Sequence, residues 1–259
     1  MTSRRFAGRR SALIVGHPGH ELRVWGWMRA VSPVVAVLTD GSGHGELARL
    51  DLSRDVCRRA SARPSEVFGV ATDEQIYRAM LDQDATFFLQ LSSTLASWLV
   101  DERIEVVAGD AIEGYNPTHD LCRAVIDRSI RLASREAPID NYAFDLVGPP
   151  GPPPTVDGVL RLALEPDALA LKVAACRSYA AAVGGTLLEE VEALLRQHGE
   201  HAFAHEYLIP VDAWAVGEQA PDYRPFYETY GEQQVEAGRY AFVIRHRQHV
   251  WPIVQALQA

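Results

Sequence analysis

"SALIVGHPGHELRVWGWM", residues 11–28, is the stretch from which the fold is read. Residues 11–16 form a short, continuous apolar run, the pattern of a parallel strand buried on both faces. The run stops at Gly16. Leu22, Val24, Trp25 and Met28 then recur at helical spacing within 21–31. A strand that turns directly into a helix is the first half of a βαβ unit. The turn itself carries His17 and His20, with Pro18 and Gly19 between them.

Working outward, the same alternation repeats. Residues 34–39 (VVAVLT) give a second strand, 50–62 a helix, 66–70 a strand, 83–102 a long helix and 104–109 another strand. Pro117 suits the first turn of a helix to 134, and 142–147 reads as a strand. Strands alternating with helices predict an α/β fold, a Rossmann-like three-layer sandwich around a mainly parallel sheet with right-handed crossovers. Functional loops in such sheets lie at the strands' C-terminal ends. Here these are 16–21, 40–46 and 109–119, each with histidine, acid and glycine. A proline-rich stretch, 148–154, follows. Residues 1–150 are therefore read as the core. Residues 151–259 are read as a C-terminal part that completes the same domain and covers the active site. It contains a strand at 159–164, helices at 165–182 and 186–198, and a final helix at 247–258.

Composition limits what this fold serves. At 259 residues and 47% hydrophobic, the chain can bury one large core. The net charge is −9 with no block of five like charges, which argues against nucleic acid and against a polybasic membrane patch. No apolar run reaches membrane-spanning length, and the basic opening MTSRRFAGRR lacks the apolar centre of a signal peptide. Cys57, Cys122 and Cys176 are far apart and odd in number, as expected of buried free thiols in a reducing compartment. The expectation is a soluble cytoplasmic protein with a small-molecule substrate, no nucleic-acid or membrane partner, and the option of homo-oligomers.

His119 lies on the loop after the fourth predicted strand, where a parallel sheet can bring it to His17 and His20. Three neutral imidazoles leave a fourth tetrahedral position open, the pattern of catalytic zinc or a similar divalent metal. The alternative for each histidine alone is a cap or a surface residue.

Four stretches then point one way. "IVGHPGHELR" resembles the AHPDDE motif of the LmbE/PIG-L superfamily of zinc-dependent N-deacetylases, and "GYNPTHDL" resembles its HPDH motif. "VAVLTDGSGHGE" is similar to its second strand and T-D-G loop, and "LKVAACRSY" to a later K-x-x-A-x-x-x-Y helix. The resemblance spans residues 11 to 182, in the family's order. It implies that His17 and His119 are metal ligands and that His20 stands where the family has its aspartate ligand. It also implies that Gly19 stands at the family's general base and Asn116 at the first histidine of HPDH.

With that base absent, Asp110 and Glu113 are the expected stand-ins, ahead of Glu21, Asp40 and Asp120. Tyr115 is a candidate hydrogen-bond donor to an oxyanion. Arg54, Asn116 and Asp40 are candidate substrate contacts. His44 is a candidate pocket residue. His198, His201, His205 and Glu206 are assigned to a surface or lid, and His246 and His249 to packing. Tyr223, Tyr227 and Tyr230 are assigned to a loop covering a sugar or forming an interface. The resemblance implies a zinc hydrolase that removes an acyl group, most simply acetyl, from an amino sugar or glycosylated small molecule, with metal-held hydroxide as nucleophile. Two alternatives stand beside it: a metal enzyme of another reaction type, and a non-catalytic relative that binds ligand.

Overall fold

The computed structural model describes residues 6, 8–43, 48–148, 157–211 and 223–259. His44 and the proline-rich stretch beyond Gly148 lie outside them. Seven strands form one sheet among the described residues: β1 (Ser11–Val15), β2 (Val34–Thr39), β3 (Arg63–Ala71), β4 (Val106–Asp110), β5 (Asp140–Phe144), β6 (Leu160–Ala163) and β7 (His205–Pro210). Their spatial order is β3-β2-β1-β4-β5-β7-β6. The first five are parallel, and β7 runs antiparallel to both β5 and β6. This is the α/β sandwich that the alternating pattern predicts.

Helices cover both faces. They are α1 (Trp25–Val31), α2 (Leu50–Arg59), α3 (Asp73–Leu81), α4 (Ala85–Asp101), α5 (Pro117–Ala133), α6 (Pro166–Val183), α7 (Gly185–His198), α8 (Phe226–Glu236) and α9 (Trp251–Gln258). Side chains of a strand alternate between faces. Ala12 and Ile14 therefore join one core with Leu95, Trp98, Ile126 and Ile253, while Leu13 and Val15 join the other with Trp25, Met28, Val56 and Val173. The three cysteines are free and buried. Among the described residues, no helix is long and apolar enough to cross a membrane.

The helix predicted at 83–102 is α4. Before it lies α3, a helix the sequence reading did not give, and two assignments in the C-terminal part are corrected. Thr72 accepts from the Gln75 backbone while Gln75 caps Thr72 in return, a capping box that starts α3. Tyr223 lies in irregular chain, but Tyr227 and Tyr230 lie on α8, and Tyr227 is buried against His246. His201 belongs to a 3₁₀ turn, Glu200–Phe203, and His205 begins β7. Both are exposed. Glu206 is buried, and so sits neither on the surface nor in a lid.

Candidate metal centre

The sheet order turns outward in opposite directions at β1 and β4, and a crevice opens beyond the ends of such a strand pair. His17 follows β1, and His119 is the third residue of α5, just after β4. The crevice brings His17, His20 and His119 together. Their ring centroids lie 5.3, 5.1 and 4.5 Å apart. One nitrogen from each lies within 4.8 Å of the others.

Local chemistry fixes each ring. Gly19 adopts φ +105°, which glycine tolerates without strain, and it opens the 3₁₀ turn His20–Val24. Its N–H donates to Glu21 Oε2 (2.8 Å) and to Ser53 Oγ (3.1 Å), while the Ser53 hydroxyl donates to Glu21 Oε1 (2.5 Å). Burial raises the Glu21 carboxyl above its usual range, and these donors counter the shift. From below, Lys172 of α6 donates to the Arg23 carbonyl (3.0 Å) and to Glu206 Oε1 (2.7 Å). Glu206 in turn accepts the Gly26 and Trp27 N–H groups, 2.8 Å each, at the start of α1.

Asp110 ends β4 and is fully buried. Its Oδ2 accepts from the Gly16 N–H (2.7 Å) and faces His20 Nδ1 (2.9 Å). A carboxylate oxygen facing Nδ1 suits the tautomer in which Nδ1–H donates, which would leave Nε2 for a metal. Asp110 Oδ1 has no hydrogen-bond partner. His119 is held by the cap of α5, where the Asn116 side chain accepts from Thr118 N–H (2.8 Å). Burial lowers the pKa of His17. Burial, then His20 and His17, lower that of His119 well below the ordinary imidazole value. Metal binding needs neutral imidazoles, and burial favours that form. His17 Nδ1 and His119 Nδ1 are both buried without a hydrogen-bond partner. Close neutral rings with unpartnered nitrogens fit a divalent ion of the zinc type.

The other sequence candidates have different neighbours. Glu113 accepts the Leu146 and Val147 N–H groups, at 2.9 and 3.1 Å, and so ties the loop after β4 to the end of β5. Burial raises its carboxyl. Tyr115 is 44% exposed and stacks on Phe226, with centroids 5.2 Å apart and planes 7° from parallel. Arg54 pairs with Asp51 at 2.8 Å and lies over Phe68. Asp40 accepts from Ser42 and, at 3.3 Å, from the Asp73 N–H. None of these four makes a hydrogen bond or ion pair with the three histidines among the described contacts. Asp73 stands beside His17 instead, with its Oδ1 3.4 Å from Nε2. Sequence reading missed it because it lies on the unrecognised α3; the Thr72–Gln75 capping pair was the available signal. His246 and His249 are buried, as expected.

Asp120 follows His119, and its Oδ1 accepts the Glu113 and Gly114 N–H groups at 3.1 Å. Burial raises its carboxyl from 3.8 to about 7. With the folded value above the unfolded one, its contribution to stability is fully present below pH 3.8 and is lost as pH rises through about 7. Asn keeps the accepting oxygen and never ionises. Asp120→Asn is therefore expected to melt higher than the parent, by a margin that grows from pH 5 to pH 8. Melting curves with the same margin at both values would count against it.

The space beside Gly19, where the resemblance places a carboxylate, is filled by Tyr179. A Cβ on Gly19 would lie 2.8 Å from Tyr179 Cε1 and 2.9 Å from its hydroxyl oxygen. Tyr179 is 5% exposed, and its hydroxyl has no hydrogen-bond partner. Gly19→Asp is therefore expected to cost about 2–3 kcal/mol through overpacking and positive φ, and to add no activity. A variant as stable as the parent in denaturant titration would contradict this.

No family model matches the chain, and no curated protein matches it in sequence. Solved structures do. The conserved protein TT1542 from Thermus thermophilus aligns with TM-score 0.53 and 18% identity, over 83% of this chain and 99% of that one. A deacetylase of the teicoplanin biosynthesis pathway aligns with TM-score 0.54 and 15% identity, over 78% and 97%. The A40926 pseudoaglycone deacetylase aligns with TM-score 0.51 and 16% identity, over 78% and 96%. At the level of fold, the chain has the architecture of these deacetylases, in agreement with the resemblance carried by its motifs.

Proposed function

We propose that this chain is a divalent-metal hydrolase, most simply a zinc one, that removes an acetyl or related acyl group from the nitrogen of an amino sugar or glycosylated small molecule. The convergence of His17, His20 and His119 at the β1/β4 crevice carries this reading. The fold shared with a deacetylase of the teicoplanin biosynthesis pathway and with the A40926 pseudoaglycone deacetylase supports it. His17, His20 and His119 would hold the metal. When bound, the metal supplies a Lewis acid for the amide carbonyl and lowers the pKa of water at the site.

The chain's own residues do the rest. Asp110 holds the proton on His20 Nδ1 and pins the Gly16 amide, so the strand end and the ring move as one. In this proposal Asp110, with Oδ1 still unpartnered, is the carboxylate through which protons are passed. Glu113 fixes the loop that carries Tyr115. Tyr115 faces solvent on that loop and offers a ring face and a hydroxyl to substrate. Asn116 serves through the cap of α5, which sets the place of His119. Arg54 and Asp40 stay candidates for the outer part of the substrate.

One observation favours a second reading. Tyr179 fills the space of the usual base, as it would in a relative that binds ligand without hydrolysis. The test has two steps. Metal analysis of the purified chain should find one transition-metal ion per chain; its lack would end the hydrolase reading. Amine release from a panel of N-acetylated amino sugars by the loaded chain then separates hydrolase from binder.

A further inference from the structure

His20 has a carboxylate behind it, and His17 has one too. Asp73 is the first residue of α3, 4% exposed, and His17 is 8% exposed. The contact between them joins Asp73 Oδ1 and His17 Nε2 at 3.4 Å. We propose that Asp73 is a positioning residue that keeps the His17 proton on Nε2 and thereby presents Nδ1 to the metal. This rests on the metal reading above.

Four observations carry it. First, the Asp73 carboxylate is fixed at its other end. Its Oδ2 accepts the Gly43 N–H at 2.6 Å, and its own N–H is held by Asp40 at 3.3 Å. Second, Oδ1 is buried and makes no hydrogen bond, with His17 Nε2 as its ion-pair neighbour at 3.4 Å. Third, His17 Nδ1 is the ring nitrogen left unpartnered. Asp73 itself is not part of the tight three-histidine group, which places it behind a ligand rather than among the ligands. Fourth, the arrangement repeats the one at His20, where Asp110 lies 2.9 Å from Nδ1. A carboxylate on the far nitrogen of a ligating imidazole fixes its tautomer and raises its basicity.

The charge balance agrees. In the motif this chain resembles, one ligand is an aspartate; here it is the neutral His20. Three neutral ligands around a buried divalent ion leave its charge uncompensated. Asp110 of β4 places a carboxylate one hydrogen bond behind His20, and Asp73 of α3 places another 3.4 Å behind His17. Asp40, on the loop after β2, faces the Asp73 backbone and not its carboxylate.

The test uses the full chain, metal-stripped and zinc-loaded. Long-range proton–nitrogen NMR of the metal-free chain should show His17 with its proton on Nε2. In Asp73→Ala, His17 should become a tautomer mixture and zinc affinity, measured against a chelator, should fall about 10- to 100-fold. The visible spectrum of the cobalt-loaded variant should keep its band intensities, because the ligands are unchanged. A wild-type His17 proton on Nδ1 overturns the proposal without any variant. So do an unchanged tautomer and affinity in Asp73→Ala, or altered cobalt bands, which would make Asp73 a ligand itself. Should Asp73→Ala not fold, Asp73→Asn replaces it. Its single oxygen can serve Gly43 or His17 but not both, so the same shifts are expected at smaller size, and none would reject the proposal. A wild-type chain that takes up no zinc ends the metal reading alone, since the tautomer is scored without metal.

Discussion

His119→Ala is expected to abolish stoichiometric metal binding while leaving the fold intact. Alanine suits the first turn of α5, whose cap is provided by Asn116 rather than by the histidine. Two imidazoles on one loop remain, too few to hold an ion at a buried site. The affinity loss should exceed the roughly 100-fold seen on removing partners that merely support a ligand. Heat provides the readout. A ligand at 100 times its Kd stabilises the wild type by about 2.7 kcal/mol, a shift of several degrees in the melting temperature. The variant should melt at the same temperature with and without metal, and any amine release should vanish. A variant that retains one tightly held ion per chain would remove His119 from the site. The wild type should also keep its metal down to an unusually low pH. Burial lowers the pKa of both His17 and His119, so protons compete for these rings only below the ordinary imidazole value of 6.5.

Lys172→Met is expected to cost about 3–5 kcal/mol, the range for breaking a buried ion pair by removing one partner. The Lys172 and Glu206 side chains are 2% and 1% exposed, and their charged atoms lie 2.7 Å apart. Methionine fills the volume but leaves Glu206 buried with only the Gly26 and Trp27 amides against its charge, and it leaves the Arg23 carbonyl without its donor. The effect should reach the metal. Arg23 lies on the same 3₁₀ turn as His20, so zinc affinity should weaken along with stability. Adding Glu206→Gln to Lys172→Met should recover part of the loss, because the unpaired charge is gone while the amide partners can still be met. Denaturant titration of the two singles and the double measures this, and strictly additive losses would show that the pair is not coupled.

The parts of this molecule that were readable from sequence share a physical reason. Strands β1, β2 and β4 are buried on both faces, so their apolar runs are continuous and easy to find. Their ends fix loop positions, which is why His17 and His20 could be grouped in advance with His119, about a hundred residues away in the chain. Helix α3 was hidden because Asp73, Glu74, Gln75 and Arg78 break its short apolar stripe. Helix α8 was hidden because six of its eleven residues, from Phe226 to Glu236, are aromatic or acidic and read as surface. Partners from distant elements were not visible at all. No spacing rule connects Asp73 to His17, Tyr179 to Gly19, or Glu206 to Lys172; only the sheet order and helix packing bring them together. For the same reason Asp110 looked like a free base in the sequence and turned out to be bonded to His20 and Gly16.

The Gly19–Tyr179 contact also has a consequence for the order in which this site can be altered. A side chain at 19 meets the tyrosine ring, so the acid cannot be added first without a stability loss. Removing the ring first leaves a void, and deletions of that size cost about 3–5 kcal/mol. Either single step runs downhill, while the double change lets the new carboxylate take up part of the vacated room. Position 19 and position 179 are therefore epistatic. A library that varies one position at a time will not recover a side chain at 19, whereas a paired library over both can cross the valley in one move.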